Sequence, residues 1–211
     1  MGRWLIVRHG ETVWNAEGRV QGHTDVDLSE RGNEQARLVG HRLANVPIDV
    51  AYCSDLRRCT QTVRHILGER GVPLHFTERL REYHKGVFEG QTADESRERY
   101  PEMFAASLVK DLDFAPTGGE SIRQTSVRMS AFVADIRERH LDETVLIVGH
   151  GGSLRATLVA LMELPLEANW RFAMANCALS MVEIFPDNAV LRLYNDTSHF
   201  LLPYLQGVAG A

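Results

Sequence analysis

The stretch Leu5-Ile6-Val7-Arg8-His9-Gly10-Glu11-Thr12 decides how the rest of the chain is read. Three apolar residues suited to a buried strand run directly into an arginine, a histidine and a glycine. Gly10 removes the side chain where the backbone turns and lets a ligand approach the main chain closely. Arg8 carries a planar fork of donors that suits a phosphate or carboxylate, and His9 is able to serve as nucleophile, general base or metal ligand. Taken alone, the run is equally a buried strand that ends in a structural histidine.

Outward from this stretch, the same punctuation recurs. Val50-Ala51-Tyr52-Cys53 is a short apolar strand that ends in Ser54-Asp55, with Arg58 just after. Thr144 to Val148 is a β-branched run typical of a central strand, and it feeds Gly149-His150-Gly151-Gly152-Ser153. Helical stripes lie between: Ala36, Val39 and Leu43 follow Ser29 as N-cap and stop before Pro47. Thr60, Val63, Ile66 and Leu67 mark a second helix ending near Gly71, and Ile122, Met129, Phe132, Val133 and Ile136 a long third. Leu154, Leu158 and Leu161 form a stripe after His150. Leu74 to Phe76 is a third short strand, and Ala178 to Phe185 and Ala189 to Tyr194 flank the turn Pro186-Asp187-Asn188. Asn15 to Asp27 lacks helical periodicity and reads as a polar loop folded back over the first strand end.

This alternation predicts an α/β three-layer sandwich, a mostly parallel central sheet with helices on both faces. Ligands in such sheets gather at the carboxyl ends of the strands. No repeat or linker interrupts the chain, so residues 1–211 are read as one domain, with an insertion at about 85–120 over those strand ends.

Composition narrows the function class. Hydrophobic content of 44% and charged content of 24% are those of a soluble globular protein. No apolar run approaches the roughly 18 residues that span a membrane, and Trp4–Val7 is too short for a signal-peptide core, which makes the cytoplasm the expected location. A net charge of −5 gives no reason to expect nucleic acid as a partner. Cys53, Cys59 and Cys177 form no C-x-x-C pair, leave an odd count, and read as reduced and buried.

Two histidines and two arginines, if brought together at those strand ends, would be able to form a phosphate site. Arg8 and Arg58 hold phosphate oxygens, and backbone N–H groups near Gly151 at a helix start add an anion site. A histidine nitrogen facing phosphorus splits hydrolysis into two steps, and the cations stabilise charge on the equatorial oxygens. The leaving alkoxide needs a proton, for which Glu82 is best placed, with Glu78, Glu89 and Glu95 as local alternatives. Zinc-deaminase, esterase-elbow, Walker A and dinucleotide motifs are incomplete or missing.

Arg8-His9-Gly10-Glu11-Thr12, with Asn15 and Gln21-Gly22, resembles the opening signature of the histidine phosphatase superfamily, the phosphoglycerate-mutase-like proteins. The similarity continues in Ser54-Asp55-Leu56-Arg57-Arg58-Cys59-Thr60-Gln61-Thr62, in Leu80-Arg81-Glu82 with Gly86 and Glu89-Gly90, in Gly118-Gly119-Glu120-Ser121 and in Val148-Gly149-His150-Gly151-Gly152. The resemblance implies a phosphoglycerate-mutase-like fold, His9 as nucleophile, Arg8, Arg58 and His150 as the phosphate cage, and Glu82 as proton donor. It places Asn15 and Gln21 at polar positions that help hold the phosphoryl group. Cys59 stands where the family usually has alanine, with no functional consequence expected. No metal and no cofactor are implied.

Within the superfamily, phosphatases and cofactor-dependent phosphoglycerate mutases differ in whether water or a second substrate hydroxyl takes the phosphoryl group. The mutases generally carry a longer, basic insertion between the positions of Gly90 and Gly119. Here that stretch has Arg97, Arg99 and Lys110 against Asp94, Glu95, Glu98, Glu102, Asp111 and Asp113, which favours a phosphatase. The tail Asn195-Asp196-Thr197-Ser198-His199-Phe200 resembles that of metal-independent phosphoserine phosphatases, where His199 would meet a substrate carboxylate. His84 is a second candidate substrate contact, and either histidine is equally an ordinary surface residue. The expected partner is a small phosphorylated metabolite such as phosphoserine, a phosphosugar or a phosphoglycerate derivative. Dimers are common among such proteins, and the hairpin near residues 178–194 offers an edge for a homodimer. A non-catalytic phosphate-binding scaffold on the same fold is the reading from a different functional class.

Overall fold

A computed structural model describes residues 1–201. The first strand, β1 (Gly2–Arg8), is the one the opening stretch predicts, and a single helical turn, α1 (Val13–Ala16), follows it. Then come α2 (Glu30–Leu43), β2 (Val50–Cys53), α3 (Arg57–Leu67) and β3 (Leu74–Phe76). Two short helices, α4 (Ala93–Arg99) and α5 (Pro101–Ser107), precede α6 (Ile122–Arg139), β4 (Thr144–Gly149) and α7 (Gly151–Leu161). The hairpin of β5 (Leu179–Ile184) and β6 (Ala189–Asp196) comes last. Among the described residues the six strands form one sheet in the order β3-β2-β4-β1-β5-β6, and only β5 runs against the rest.

The strands are apolar throughout because both faces are covered, as expected of a buried parallel sheet. Trp4, Ile6, Tyr52, Val145 and Ile147 pack with Met129, Phe132 and Ile136 of α6 and Leu154 and Leu158 of α7. Their neighbours in sequence, Leu5, Val7, Ala51, Leu146 and Val148, pack on the other side with Ala36, Val39 and Leu43 of α2 and Val63 and Ile66 of α3. The period of two along each strand therefore builds three layers.

Local chemistry sets the helix ends. The Ser29 hydroxyl accepts the Gly32 N–H at the start of α2, and Ser121 does the same for Gln124 at the start of α6. Helix α3 stops at Leu67, short of Gly71, because Gly68 already takes a left-handed φ of 53°. Gly10 has a packing role that the sequence does not show: a Cβ there would sit 2.5 Å from the Gly32 carbonyl oxygen of α2. The close contact draws α2 in beneath the turn that carries His9.

Topology creates the crevice. Adjacent strands β1 and β4 send their following helices to opposite faces, β1 to α2 and β4 to α7. This is the switch point at which open α/β sheets place ligands. Register makes the ends level, with Arg8 opposite Gly149 and Cys53 opposite Val148. His9 and His150, one residue beyond those ends, become neighbours across the switch point.

Residues 85–120 leave these strand ends and return to them. The two limbs of the segment are pinned together by the Glu120 N–H on the His84 carbonyl and the Val87 N–H on the Thr117 carbonyl, at 2.8 and 3.1 Å. Gly90 and Gln91 pair with Val20 in the loop after α1. Among the described residues, no helix is long and apolar enough to cross a membrane.

Candidate active site

His9 is 3% exposed and lies at the bottom of the crevice. Its Nδ1 is 2.7 Å from the Gly10 carbonyl oxygen. A carbonyl only accepts, so Nδ1 carries the proton and Nε2 of the neutral ring presents a lone pair. Burial, followed by the Arg8 and Arg58 cations, holds the imidazole well below its ordinary pKa, so the ring is neutral at pH 7. Asn176, which follows α7 in the chain, braces the same turn by donating its amide to the His9 carbonyl at 3.0 Å.

Arg58 is fully buried and held at three points. Its Nε donates to His150 Nδ1 at 3.1 Å, Nη1 to the Thr24 carbonyl at 2.9 Å and Nη2 to the Gly22 carbonyl at 2.7 Å. Two of its five N–H groups remain for a ligand. Asn15 and Ala16, read from sequence as loop, belong to α1, because the Thr12 hydroxyl caps that turn; residues 17–27 fold back over the strand end as expected and grip this guanidinium. The absence of a side chain at Gly22 is required there, because a Cβ would fall 2.7 Å from the Lys85 backbone nitrogen.

Arg8 donates Nη1 to the Met174 carbonyl at 2.6 Å, and its buried Nε has no partner among the described residues. A buried donor left unspent costs free energy unless a ligand takes it up. Gly151 lies beside this guanidinium, where a Cβ would be 3.5 Å from Arg8 Nε.

His150 is buried with its ring centroid 5.2 Å from that of His9. Since Nδ1 accepts from Arg58, Nε2 carries the proton and faces the Ser54 hydroxyl at 2.8 Å. Burial and the Arg58 cation keep this ring neutral as well. Cys59 packs beneath it, with Sγ 3.4 Å from His150 Nε2, and burial pushes the thiol up to about 12.

The Glu82 carboxylate sits on the first turn of α7. It accepts the Gly152 N–H at 2.8 Å and the Ser153 N–H at 3.0 Å. These are the backbone donors near Gly151 that the sequence marks as an anion site, and the Glu82 carboxylate fills it. The competing glutamates are committed elsewhere. Glu89 accepts from the His23, Thr24 and Lys85 N–H groups, Glu95 caps α4, and Glu78 lies near Arg81 on the surface.

Asn15 and Gln21 flank the crevice, each with its side-chain oxygen spent locally. Asn15 Oδ1 accepts the Thr12 N–H at 3.2 Å and Gln21 Oε1 accepts the Thr12 hydroxyl at 3.0 Å, which leaves both NH₂ groups for a ligand. His84 stands at the rim, its ring 4.7 Å from that of His23, whose Nε2 meets the Glu82 carbonyl at 2.8 Å.

His199 is not brought to the cluster. It is 1% exposed, packed behind the sheet against α2, with Nδ1 3.3 Å from Arg42 Nη1. That burial closes it to a substrate carboxylate, contrary to the expectation from the tail. Burial and the Arg42 cation depress its pKa to about 4. The unfolded chain takes up this proton near pH 6.5 and the folded chain resists it, so stability is present above pH 6.5 and is lost as the pH falls towards 4. Denaturant midpoints at pH 7 and pH 5 should therefore drop less for His199→Gln than for the wild type. An equal drop in both would remove His199 from the explanation.

The supports Ser54, Met174 and Asn176 escape sequence reading. Ser54 was visible as strand-end punctuation, but nothing local tied it to His150, 96 positions away. Among the described residues, no group of three or more His, Cys, Asp or Glu side chains is placed to hold a metal ion.

Residues 4–197 match the family model of the histidine phosphatase superfamily (branch 1). The chain is 33% identical over 199 residues to phosphoserine phosphatase 1 of Hydrogenobacter thermophilus, covering 94% of each. It is 34% identical over 200 residues to phosphoglycerate mutase-like protein 4 of Arabidopsis thaliana, covering 92% of this chain and 85% of that one. The crystal structure of the alpha-ribazole phosphatase of Shigella flexneri superimposes with a TM-score of 0.88 at 31% identity, over 92% of this chain and 96% of the other.

Proposed function

The chain belongs to the histidine phosphatase superfamily and is a phosphatase, and on that premise we propose that it hydrolyses a small phosphomonoester through a phosphohistidine on His9, without a metal ion. The observation that carries this reading is a neutral imidazole whose Nε2 lone pair is free, set beside the buried Arg58 and the half-buried Arg8, both with unspent N–H donors. The free donors of Arg8 and Arg58, with the NH₂ groups of Asn15 and Gln21, hold the phosphoryl oxygens. His150 acts by fixing Arg58 and walling the site beside His9, which extends the cage role that the sequence implies for it.

In the first step His9 Nε2 attacks phosphorus as the P–O ester bond breaks, and the Glu82 carboxyl group delivers a proton to the leaving alkoxide. In the second step the Glu82 carboxylate takes a proton from water, the water oxygen attacks phosphorus, and the P–N bond breaks to release inorganic phosphate. Gly152 and Ser153 hold the carboxylate in place between steps. Residues 85–120 cover the mouth of the site as part of the same domain.

A mutase would have to hold a bisphosphorylated cofactor, yet the cavity wall built by residues 85–120 is largely apolar and has Lys85 as its one lysine. The buried free thiols Cys53, Cys59 and Cys177 fit a reducing compartment, in agreement with action on a cytoplasmic metabolite. Among the relatives, the phosphoserine and ribazole phosphatases support a small phosphorylated substrate.

Phosphate release in EDTA from propyl phosphate and 4-nitrophenyl phosphate tests the reading. Glu82→Gln should lower kcat on propyl phosphate by about 10²–10⁴-fold, the usual contribution of a general acid, and affect 4-nitrophenyl phosphate far less, because nitrophenolate leaves without a proton. Equal losses on both esters would exclude Glu82 as the acid. Loss of all release in EDTA would exclude the metal-free route, and isomerisation of phosphoglycerate only with added bisphosphoglycerate would make the chain a mutase.

A further inference from the structure

Beside the phosphate crevice, under residues 85–120, lies a cavity of about 260 Å³. Phe88, Phe104, Phe114, Ile122 and Trp170 line it. Tyr83 belongs to both spaces: it borders the cavity, and its ring lies so close to Gly152 that a Cβ there would fall 2.2 Å from Tyr83 Cε1. Val20, on the opposite wall, is one residue from Gln21. Through Tyr83, which packs against Gly152 beside Glu82, and through Val20, next to Gln21, the cavity borders the phosphate crevice.

From this arrangement we infer that the alcohol part of the substrate is a bulky apolar group, an aromatic or alicyclic ring on a short linker, seated in this cavity. The inference rests on the phosphomonoesterase reading and names the substrate class for it. Ligand sites are mostly apolar with a few polar groups that fix orientation, and this cavity has that composition. Of its two acidic groups, Glu120 is tied to Arg128 at 3.0 Å and the exposed Asp111 accepts the Asp113 N–H at 2.9 Å, while the Lys85 ammonium lies 3.5 Å above the Tyr83 ring. Ser96 lines the wall at 2% exposure, and its hydroxyl has no partner among the described residues, which suits a hydrogen-bonding atom on the ring. Val109, at the rim, is 65% exposed, an apolar side chain that a bound ring would cover. Phosphoserine would leave the Phe88, Phe104 and Phe114 rings without an apolar partner, and its charges would have to compete for groups already engaged with Arg128 and Tyr83.

Phosphonates, whose C–P bond is not hydrolysed, separate binding from chemistry. By titration calorimetry, 3-phenylpropylphosphonate should bind at least tenfold more tightly than propylphosphonate and than the phosphonate analogue of phosphoserine. In Ser107→Trp and in Ala93→Phe, which fill the cavity from two sides, that ratio should fall towards one. Equal affinities in the wild type, a ratio unchanged in both filled variants, or no measurable binding of any phosphonate would each overturn the inference. Turnover of the matching phosphate esters is measured in parallel. Hydrolysis with equal affinities sinks the cavity assignment alone, whereas a strong phenyl preference without hydrolysis sinks the phosphatase reading and leaves the cavity assignment standing.

Discussion

His9→Ala is expected to lower phosphate release from every monoester by about 10⁴-fold or more, the scale on which removal of a covalent nucleophile is felt. The imidazole occupies a site that nothing else in the crevice can fill. Nε2 is the free nitrogen because Nδ1 is committed to the Gly10 carbonyl, and the neighbouring His150 has both nitrogens engaged by Arg58 and Ser54. Burial and the two flanking cations keep the His9 ring neutral well below pH 6.5, so protonation should not remove its lone pair until the solution is more acidic than an ordinary histidine requires. Two readouts separate this role from a structural one. Acid-labile phosphate should be trapped on the wild type by rapid quench and mass spectrometry and be missing from His9→Ala. The variant should keep its fold, since His9 contributes little to either apolar layer. Full trapping in the variant, or turnover within tenfold of the wild type, would move the nucleophile elsewhere.

The second large effect is expected at Arg58. Arg58→Lys keeps a positive charge but cannot reach His150, Thr24 and Gly22 at once. A guanidinium that stabilises a phosphoryl-transfer transition state is worth about 10³–10⁵ in kcat, and the lysine should forfeit most of it. Stability should fall as well, because each buried acceptor left without a donor costs roughly 1–3 kcal/mol. The two consequences are measurable apart: kcat on propyl phosphate under conditions where the variant is folded, and the thermal midpoint with and without saturating inorganic phosphate. A folded variant whose kcat falls less than tenfold would show that the cage does not depend on this guanidinium. A variant that loses stability and regains it fully with phosphate would show that the lysine still finds the anion.

Much of this was legible in the chain. The strands announce themselves because a sheet covered on both faces needs unbroken apolar runs, and Leu5–Val7, Val50–Cys53 and Val145–Val148 supply them. Helix starts at Ser29 and Ser121 follow from side chains that accept the first free N–H groups. The chemistry is legible at the strand ends, because a polar or charged residue directly after a buried strand has only the crevice to occupy. Glu82 was less distinct among its neighbours. Only the fold shows that Glu89 and Glu95 are spent on backbone donors.

By itself, then, the sequence determined the element types, the two-sided burial of the sheet, and the presence of two histidines, two arginines and a carboxylate at its carboxyl edge. These depend on periodicity and on residues within a few positions of one another. Tertiary structure decided the rest. The adjacency of β1 and β4 pairs Arg8 with Gly149, and a register across that distance is set by packing of whole layers rather than by any local signal. The same packing sets His150 against Arg58, turns Gly10 towards Gly32, buries His199 behind α2 and opens the cavity under residues 85–120. Each of these is a contact between segments far apart in the chain, formed only when the sheet and its two helical layers close together.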